Sequence, residues 1–292
     1  MSRMALIAAF FLRLQIVCKS GLHALYKTFE ILAGTVFLSP PGQTMWQASL
    51  GLCKPSSAPS VRTAMVAHVF YPELLGEVLA CWRRLPCGTP LHLSVPHEKI
   101  GELRTRLGGA DGIVVHEVAN RGRDIAPFLS VLSSGALEGY DAVLKLHTKR
   151  SPHLRTGDLR RRLLFTMLAG HPTHVRRILR VFADASVGHA GWHWMWRTRA
   201  SYWHANEPAV RSVMDRMAPG TPVTLAFFEG SMFWFRPAAL DPLRRLGLTA
   251  DDFDAEAGQT DGALHHAVER CFGLAVRAAG YQTTDLRGRT IL

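Results

Sequence analysis

Residues 140–151 read Tyr-Asp-Ala-Val-Leu-Lys-Leu-His-Thr-Lys-Arg-Ser, an apolar run that passes directly into cations. If the run is a strand that continues, Lys145, His147 and Lys149 share one face by the two-residue period, with Arg150 just beyond. Side chains of this kind neutralise a diphosphate by charge-assisted hydrogen bonds. A solvated basic loop is the plainer alternative, and the four further arginines between Ser151 and Arg162 keep it open. A second candidate is Asn120-Arg121-Gly122-Arg123-Asp124, a turn between an apolar run and a helical pattern. Backbone donors and a helix N-terminus at such a turn suit part of a nucleotide, and Gly122 supplies conformational freedom. An Asp cap with a local arginine pair is the competing reading.

A carboxylate beside an apolar helix face can also act as a general base. Asp261 is the first candidate, because at 100° per residue Asp261 and His265 lie beside the apolar face of a helix expected from Asp261 to Phe272, with Thr260 as its N-cap. Stabilising the dipole of that helix is the alternative role for Asp261. Glu229 is the rival base, since it precedes Gly230-Ser231 inside the apolar and aromatic segment Thr224–Phe235.

The elements that must position these groups follow from hydrophobic periodicity. Thr63–Phe70, Pro90–Val95, Gly112–Val118 and Tyr140–Leu146 read as strands. Helical patterns lie between them: Leu74 to Leu85 behind Pro72, Glu98–Leu107 and Asp124–Leu132. This alternation predicts an α/β fold with a mostly parallel sheet and helices on both faces. Ligands of such sheets bind beyond the carboxyl ends of the strands, so His68 and Tyr71 at the end of the first strand are also expected to border a nucleotide.

The chain has 292 residues, of which 48% are hydrophobic and 20% charged, enough apolar material for a core and no basis for disorder. A formal net charge of +11 favours partners that carry phosphate or an anionic membrane surface. Five scattered cysteines without a CxxC pair argue against a disulfide framework or structural zinc, and a reducing cytoplasm fits them best. The histidines form no HExxH or paired ligand spacing, so no metal site is expected. Met4–Cys18 is apolar but too short and interrupted for a membrane span, which leaves an interfacial helix or an uncertain start site. A Pro- and Ser-rich stretch from Leu38 to Pro59 marks a linker, dividing an N-terminal appendage (1–60) from a domain at 61–292. Trp192, Trp194, Trp196, Tyr202 and Trp203 are read as core or lid.

Five segments resemble, in the same order, the rhamnan synthesis protein F family of bacterial surface-polysaccharide proteins. They are His68-Val-Phe-Tyr71, Asn120-Arg-Gly-Arg-Asp-Ile-Ala-Pro-Phe128, the run from Tyr140 to Ser151, Gly230-Ser-Met-Phe-Trp-Phe-Arg-Pro237, and Asp261-Gly262 with Glu269-Arg270. The resemblance spans roughly Val61 to Gly280. It implies a GT-A-like, Rossmann-like domain that transfers a sugar from a nucleotide-diphosphate donor, dTDP-rhamnose being suggested by the family's name. In GT-A enzymes the region matching Asn120–Asp124 touches base or ribose, which assigns Asp124 to a ribose hydroxyl and Arg121 or Arg123 to a phosphate. Those enzymes commonly hold a divalent ion with a DxD motif at the end of the fourth strand. Here that place reads Lys145-Leu-His147, implying fixed cations, no metal and no resident cofactor. The expected reaction is inverting transfer to a lipid-linked glycan at the cytoplasmic face of a membrane, without nucleic acid. The alternative is a polysaccharide-assembly scaffold that keeps the fold without catalysis.

Overall fold

The computed structural model describes residues 31–51, 60–150, 157–256, 258 and 261–292. The apolar stretch Met4–Cys18 and Thr260 lie outside these residues. The chain divides into two compact units, one comprising residues up to 53 together with 151–163, the other 54–150 with 164–292. The four arginines between Ser151 and Arg162 belong to the unit that holds the N-terminal residues. In that smaller unit helix α1 (Pro40–Gly51) buries Trp46, whose ring meets Phe37 edge-on at 5.8 Å. Among the described residues, no helix is long and apolar enough to cross a membrane.

The larger unit is built on a seven-stranded sheet. Its strands are β1 (Thr63–His68), β2 (Leu91–Pro96), β3 (Ile113–Val118), β4 (Ala142–His147), β5 (Val187–Gly191), β8 (Phe233–Phe235) and β9 (Gln282–Asp285), in the order β3-β2-β1-β4-β8-β5-β9. A two-residue pair, β6 (Trp196–Arg197) with β7 (Phe227–Phe228), stands apart from it. Strands β1, β2 and β4 are buried along their whole length, as expected of parallel strands covered on both faces, whereas edge strand β3 is largely open.

Helices cover both sides. Helix α4 (Ile125–Ser133) sets Phe128 against Phe235 on one face of the sheet. On the other face Trp234 Nε1 donates to Leu168 O of helix α5 (Gly157–Ala169). Helices α2 (Leu75–Trp82) and α3 (Ile100–Leu107) occupy the βα connections that periodicity predicts, and α6 (Pro172–Val181) and α7 (Glu207–Met217) follow in the second half. After the short helix α8 (Asp241–Arg244) comes the long α9 (Leu264–Ala278), which packs on α7, β7 and β9.

Strand β8 runs antiparallel to both neighbours, β4 and β5, while β5 pairs with β9 in parallel. Consequently β1, β2, β3, β4, β5 and β9 all end at one edge of the sheet, and β8 begins there. The residues just before β8 are therefore delivered to the same edge as the residues that end β1 and β4. Helix α9 begins at Leu264, with Ala263 rather than Thr260 at its N-cap, so Asp261 sits in the preceding turn and not in the first turn. Gly262, at φ +80°, makes that turn and delays the helix.

Candidate functional site

Lys145 and His147 point to the same face of the sheet, as the period of a strand requires, but neither lies on a solvated loop. Lys145 is 1% exposed and His147 4% exposed. The Lys145 ammonium donates to Asp124 Oδ2 at 2.7 Å and to Ser231 O at 2.7 Å, and it stands 5.0, 5.8 and 5.9 Å from the ring centres of Phe128, Phe233 and Phe272. A lysine can be buried this deeply only with its charge met, and one carboxylate, one carbonyl and three aromatic faces meet it. Its task is then to hold Asp124 and the Ser231 carbonyl in place. The expectation that Lys145 touches a diphosphate directly runs against this engagement.

Asp124 ends the turn that Gly122 allows. Gly122 has φ +63°, and a Cβ there would come within 2.7 Å of Ala126 Cβ and 2.8 Å of the Phe253 ring. Burial opposes charge on Asp124, but His147, Lys145 and Lys149 around it hold its carboxyl well below the usual range. Both Lys145 Nζ and, at 3.3 Å, His147 Nδ1 face its Oδ2. The His147 contact lacks hydrogen-bond geometry, which leaves that ring nitrogen unsatisfied. Burial pushes His147 down to about 3 and His68 to about 4, so both are neutral imidazoles at pH 7. His68 Nδ1 lies 3.1 Å from Ser94 Oγ, and its backbone carbonyl accepts from Thr148 N. The Thr148 hydroxyl in turn accepts from Tyr71 N at 2.9 Å. The ends of β1 and β4 are thereby laced together, with the Arg150 guanidinium over the Tyr71 ring and paired to Glu73 at 3.0 Å.

The remaining residues of the arginine turn serve its surroundings. Asn120 is exposed and donates to Glu98 Oε1. Arg121 donates to Phe253 O, and Arg123 forms a two-pronged pair with Glu256. Arg123 itself holds φ +54°, a conformation disfavoured for any residue with a Cβ. The other positive-φ residues besides glycine among the described residues are Ser231 (+52°) and His204 (+49°). Ser231 lies beside Lys145. His204 precedes Ala205 and Asn206, which donate to Asp261. Strain at all three therefore collects around the candidate residues.

The three carboxylates singled out for base chemistry or for resemblance differ in their surroundings. Ala205 N and Asn206 Nδ2 donate to Asp261, and although burial works against ionisation, these bonds hold its carboxyl below the usual range. Glu229 is gripped by the Arg197 guanidinium through Nε at 2.8 Å and Nη2 at 2.6 Å. Glu269 lies on α9 one turn beyond His265, and burial raises its carboxyl above the usual range against the pull of Lys149. Its Oε1 accepts from Gly230 N at 2.8 Å and Ser231 Oγ at 3.1 Å. Ser231 therefore joins two carboxylates: its carbonyl accepts from the lysine that pairs with Asp124, and its hydroxyl donates to Glu269. His265 is buried, with burial lowering its pKa and Nε2 unsatisfied, and its ring centre is 4.0 Å from that of His266.

Among the described residues no three His, Cys, Asp or Glu side chains converge as metal ligands. An open hollow lined by Thr198, Ala200, Trp203, Arg211 and Leu225 contains none of the groups above. Of the aromatic cluster, Trp192, Trp194 and Trp196 pack against the main core.

The model of the family described as rhamnan synthesis protein F matches residues 47–281. The chain belongs to the rhamnan synthesis protein F family. It is 37% identical over 241 residues to the uncharacterized protein WxcX of Xanthomonas campestris pv. campestris strain B100, an alignment that covers 80% of this chain and 33% of that protein. WxcX from a second strain of the same pathovar is 36% identical over the same shares. The chain thus spans about a third of the length of the curated relatives it matches. The family is one of polysaccharide synthesis, and its matched region contains every residue of the cluster just described.

The residue that motif chemistry passed over is Glu269. A signal for it exists in the sequence, since an acidic residue one helical turn after His265 stands in a helix whose other inward positions are Val268, Cys271 and Phe272.

Proposed function

We propose that this chain carries the donor site of an inverting glycosyltransferase, which moves a sugar from a nucleotide diphosphate, dTDP-rhamnose by the family's name, to a lipid-linked surface glycan. The observation that supports it is the buried Asp124–Lys145–Ser231 network at the carboxyl edge of the sheet, where α/β proteins bind nucleotides. Lys145 and His147 face Oδ2 of Asp124, and in this reading Oδ1 accepts a ribose hydroxyl. Lys149 and Arg150, exposed at the end of β4, and Arg123 meet the diphosphate, while neutral His68 and His147 line the floor. With cations in these places the leaving diphosphate is stabilised without a divalent ion. The acceptor reaches the site from the cytoplasmic face of a membrane, and the basic surface of the protein suits an anionic leaflet.

The test is a thermal-shift panel of dTDP, UDP and GDP with their sugars, since a ligand that binds the native state raises the melting temperature by linkage. A selective rise with one nucleotide class, unchanged by EDTA, is expected. No shift across the panel would favour the assembly scaffold, and a rise that needs manganese or magnesium would contradict the metal-free reading.

A further inference from the structure

Two independent features of geometry mark Glu269 as a carboxylate suited to taking a proton. First, its Oε1 is fixed by two donors from one turn, Gly230 N and Ser231 Oγ, and that turn is itself anchored by Lys145 through the Ser231 carbonyl. The carboxylate is thereby oriented to the same network that holds Asp124. Second, among the described residues no hydrogen-bond donor reaches Oε2, the Arg270 guanidinium standing 4.0 Å away, and the side chain keeps 19% of its surface open, about as much as the 17% of Asp124. A carboxylate with one oxygen anchored and part of its side chain open is built to receive a proton without moving.

We propose that Glu269 is the general base of the transfer, an inference that rests on the glycosyltransferase reading above. Its oxygen takes the proton of the acceptor hydroxyl as the acceptor oxygen bonds to the anomeric carbon. The bond from that carbon to the diphosphate oxygen breaks with its electron pair, which leaves as the nucleoside diphosphate. Glu269, now a carboxylic acid, returns the proton to solvent. The groups that face it set its basicity from three sides: Lys149 beyond β4 and Arg270 on its own helix lower its proton affinity, while Asp124 before α4 raises it. Burial outweighs the cations, so the anion is more basic than an ordinary glutamate. By contrast, donors hold Asp261 low and Arg197 occupies Glu229.

The experiment compares wild type, Glu269→Gln and Asp261→Asn in the full chain. It uses calorimetric titration with dTDP-rhamnose, and transfer from dTDP-rhamnose to lipid-linked glycan in phospholipid vesicles between pH 5 and 9. Glutamine keeps an oxygen for Gly230 and Ser231, so Glu269→Gln should melt near wild type and bind donor within about twofold. Its turnover should fall by about 10² to 10⁴, the size of general-base catalysis. Wild-type kcat should show an acidic limb above the ordinary carboxylate value, and the variant should lose it. Donor binding and transfer by wild type with near-normal turnover in Glu269→Gln and its limb intact would overturn the assignment alone. Absence of donor binding by wild type would overturn the glycosyltransferase reading, and this inference with it. Should Glu269→Gln fail to fold, a wild-type profile without an acidic limb would overturn the proposal, and one with it would support it.

Discussion

Two polar clusters occupy the same face of one sheet and solve the cost of burial in opposite ways. By register Val66 stands beside both His92 and Lys145, and His68 beside both Ser94 and His147, so all these side chains project to one side. Between β2 and β3, His92 Nδ1 and His116 Nε2 lie 3.1 Å apart, and burial lowers both pKa values, that of His92 to about 4. Two neutral imidazoles share one hydrogen bond without charge, which leaves only His92 Nε2 of the pair buried without a partner among the described residues. At the ends of β1 and β4 the chain instead buries a full ion pair and surrounds it with strained backbone. The first is the cheap way to keep polar atoms inside a sheet. The second is expensive, and its expense at a strand edge is what sets it apart as a site.

The largest expected effect comes from breaking the ion pair. Lys145→Met should lower unfolding free energy by about 3 to 5 kcal/mol in urea titrations, because it strands a buried Asp124 charge. Adding Asp124→Asn should restore at least half of that loss. A Lys145→Met protein of wild-type stability would mean that the pair is not the structural anchor described here.

Acidification is the next way to separate the two solutions. His68 and His147 are held at about 4 and about 3 in the fold but titrate near 6.5 when unfolded. Between those values the unfolded chain binds more protons, so stability falls as pH drops from about 7 towards 4, by on the order of a few kcal/mol in total. Asp124, depressed in the fold, contributes stability that is present above the ordinary aspartate range and is lost only at still lower pH. Melting temperatures measured across this range in wild type and in His147→Gln should show a shallower slope for the variant.

Strain at Ser231 gives a smaller effect. Ser231→Gly and Ser231→Ala both remove the hydroxyl that reaches Glu269, but only glycine relaxes φ +52°. The glycine variant should be the more stable of the two by about 1 kcal/mol. The smallest change is expected in the neutral cluster, where His92→Leu should shift stability by less than about 1.5 kcal/mol. A loss as large as that of Lys145→Met would erase the distinction between the clusters.

Periodicity made the first half of the sheet legible. The four strand patterns match β1 to β4 to within two residues at each end, because each is a short segment rich in apolar residues, continuous or alternating with polar ones, closed by Gly, Pro or a polar turn. The second half was less so. Strand β5 (Val-Gly-His-Ala-Gly) and β9 (Gln-Thr-Thr-Asp) are short and carry polar residues buried by tertiary packing, and nothing local announces that β8 reverses direction. In the site, the shared face of Lys145 and His147 could be read from spacing alone. That Lys145 is spent on Asp124 and Ser231 could not, since those contacts join residues 21 and 86 positions apart. The same holds for Glu269 and Ser231, brought together over 38 positions by the reversal of β8. Asp261 was placed in a helix because Thr260 and the following apolar residues imitate a capped start. The turn at Gly262, whose N–H donates to Asn206 Oδ1, decides otherwise.

The central claim is that the carboxyl edge of this sheet binds the donor nucleotide. Hydrogen–deuterium exchange of the full chain with and without saturating dTDP-rhamnose tests it most directly. The account predicts new protection confined to residues 120–125, 145–150 and 230–231, the segments that meet at Asp124 and Lys145. Protection that appears instead around Thr198–Trp203 and Leu225, with those three segments unchanged, would contradict it.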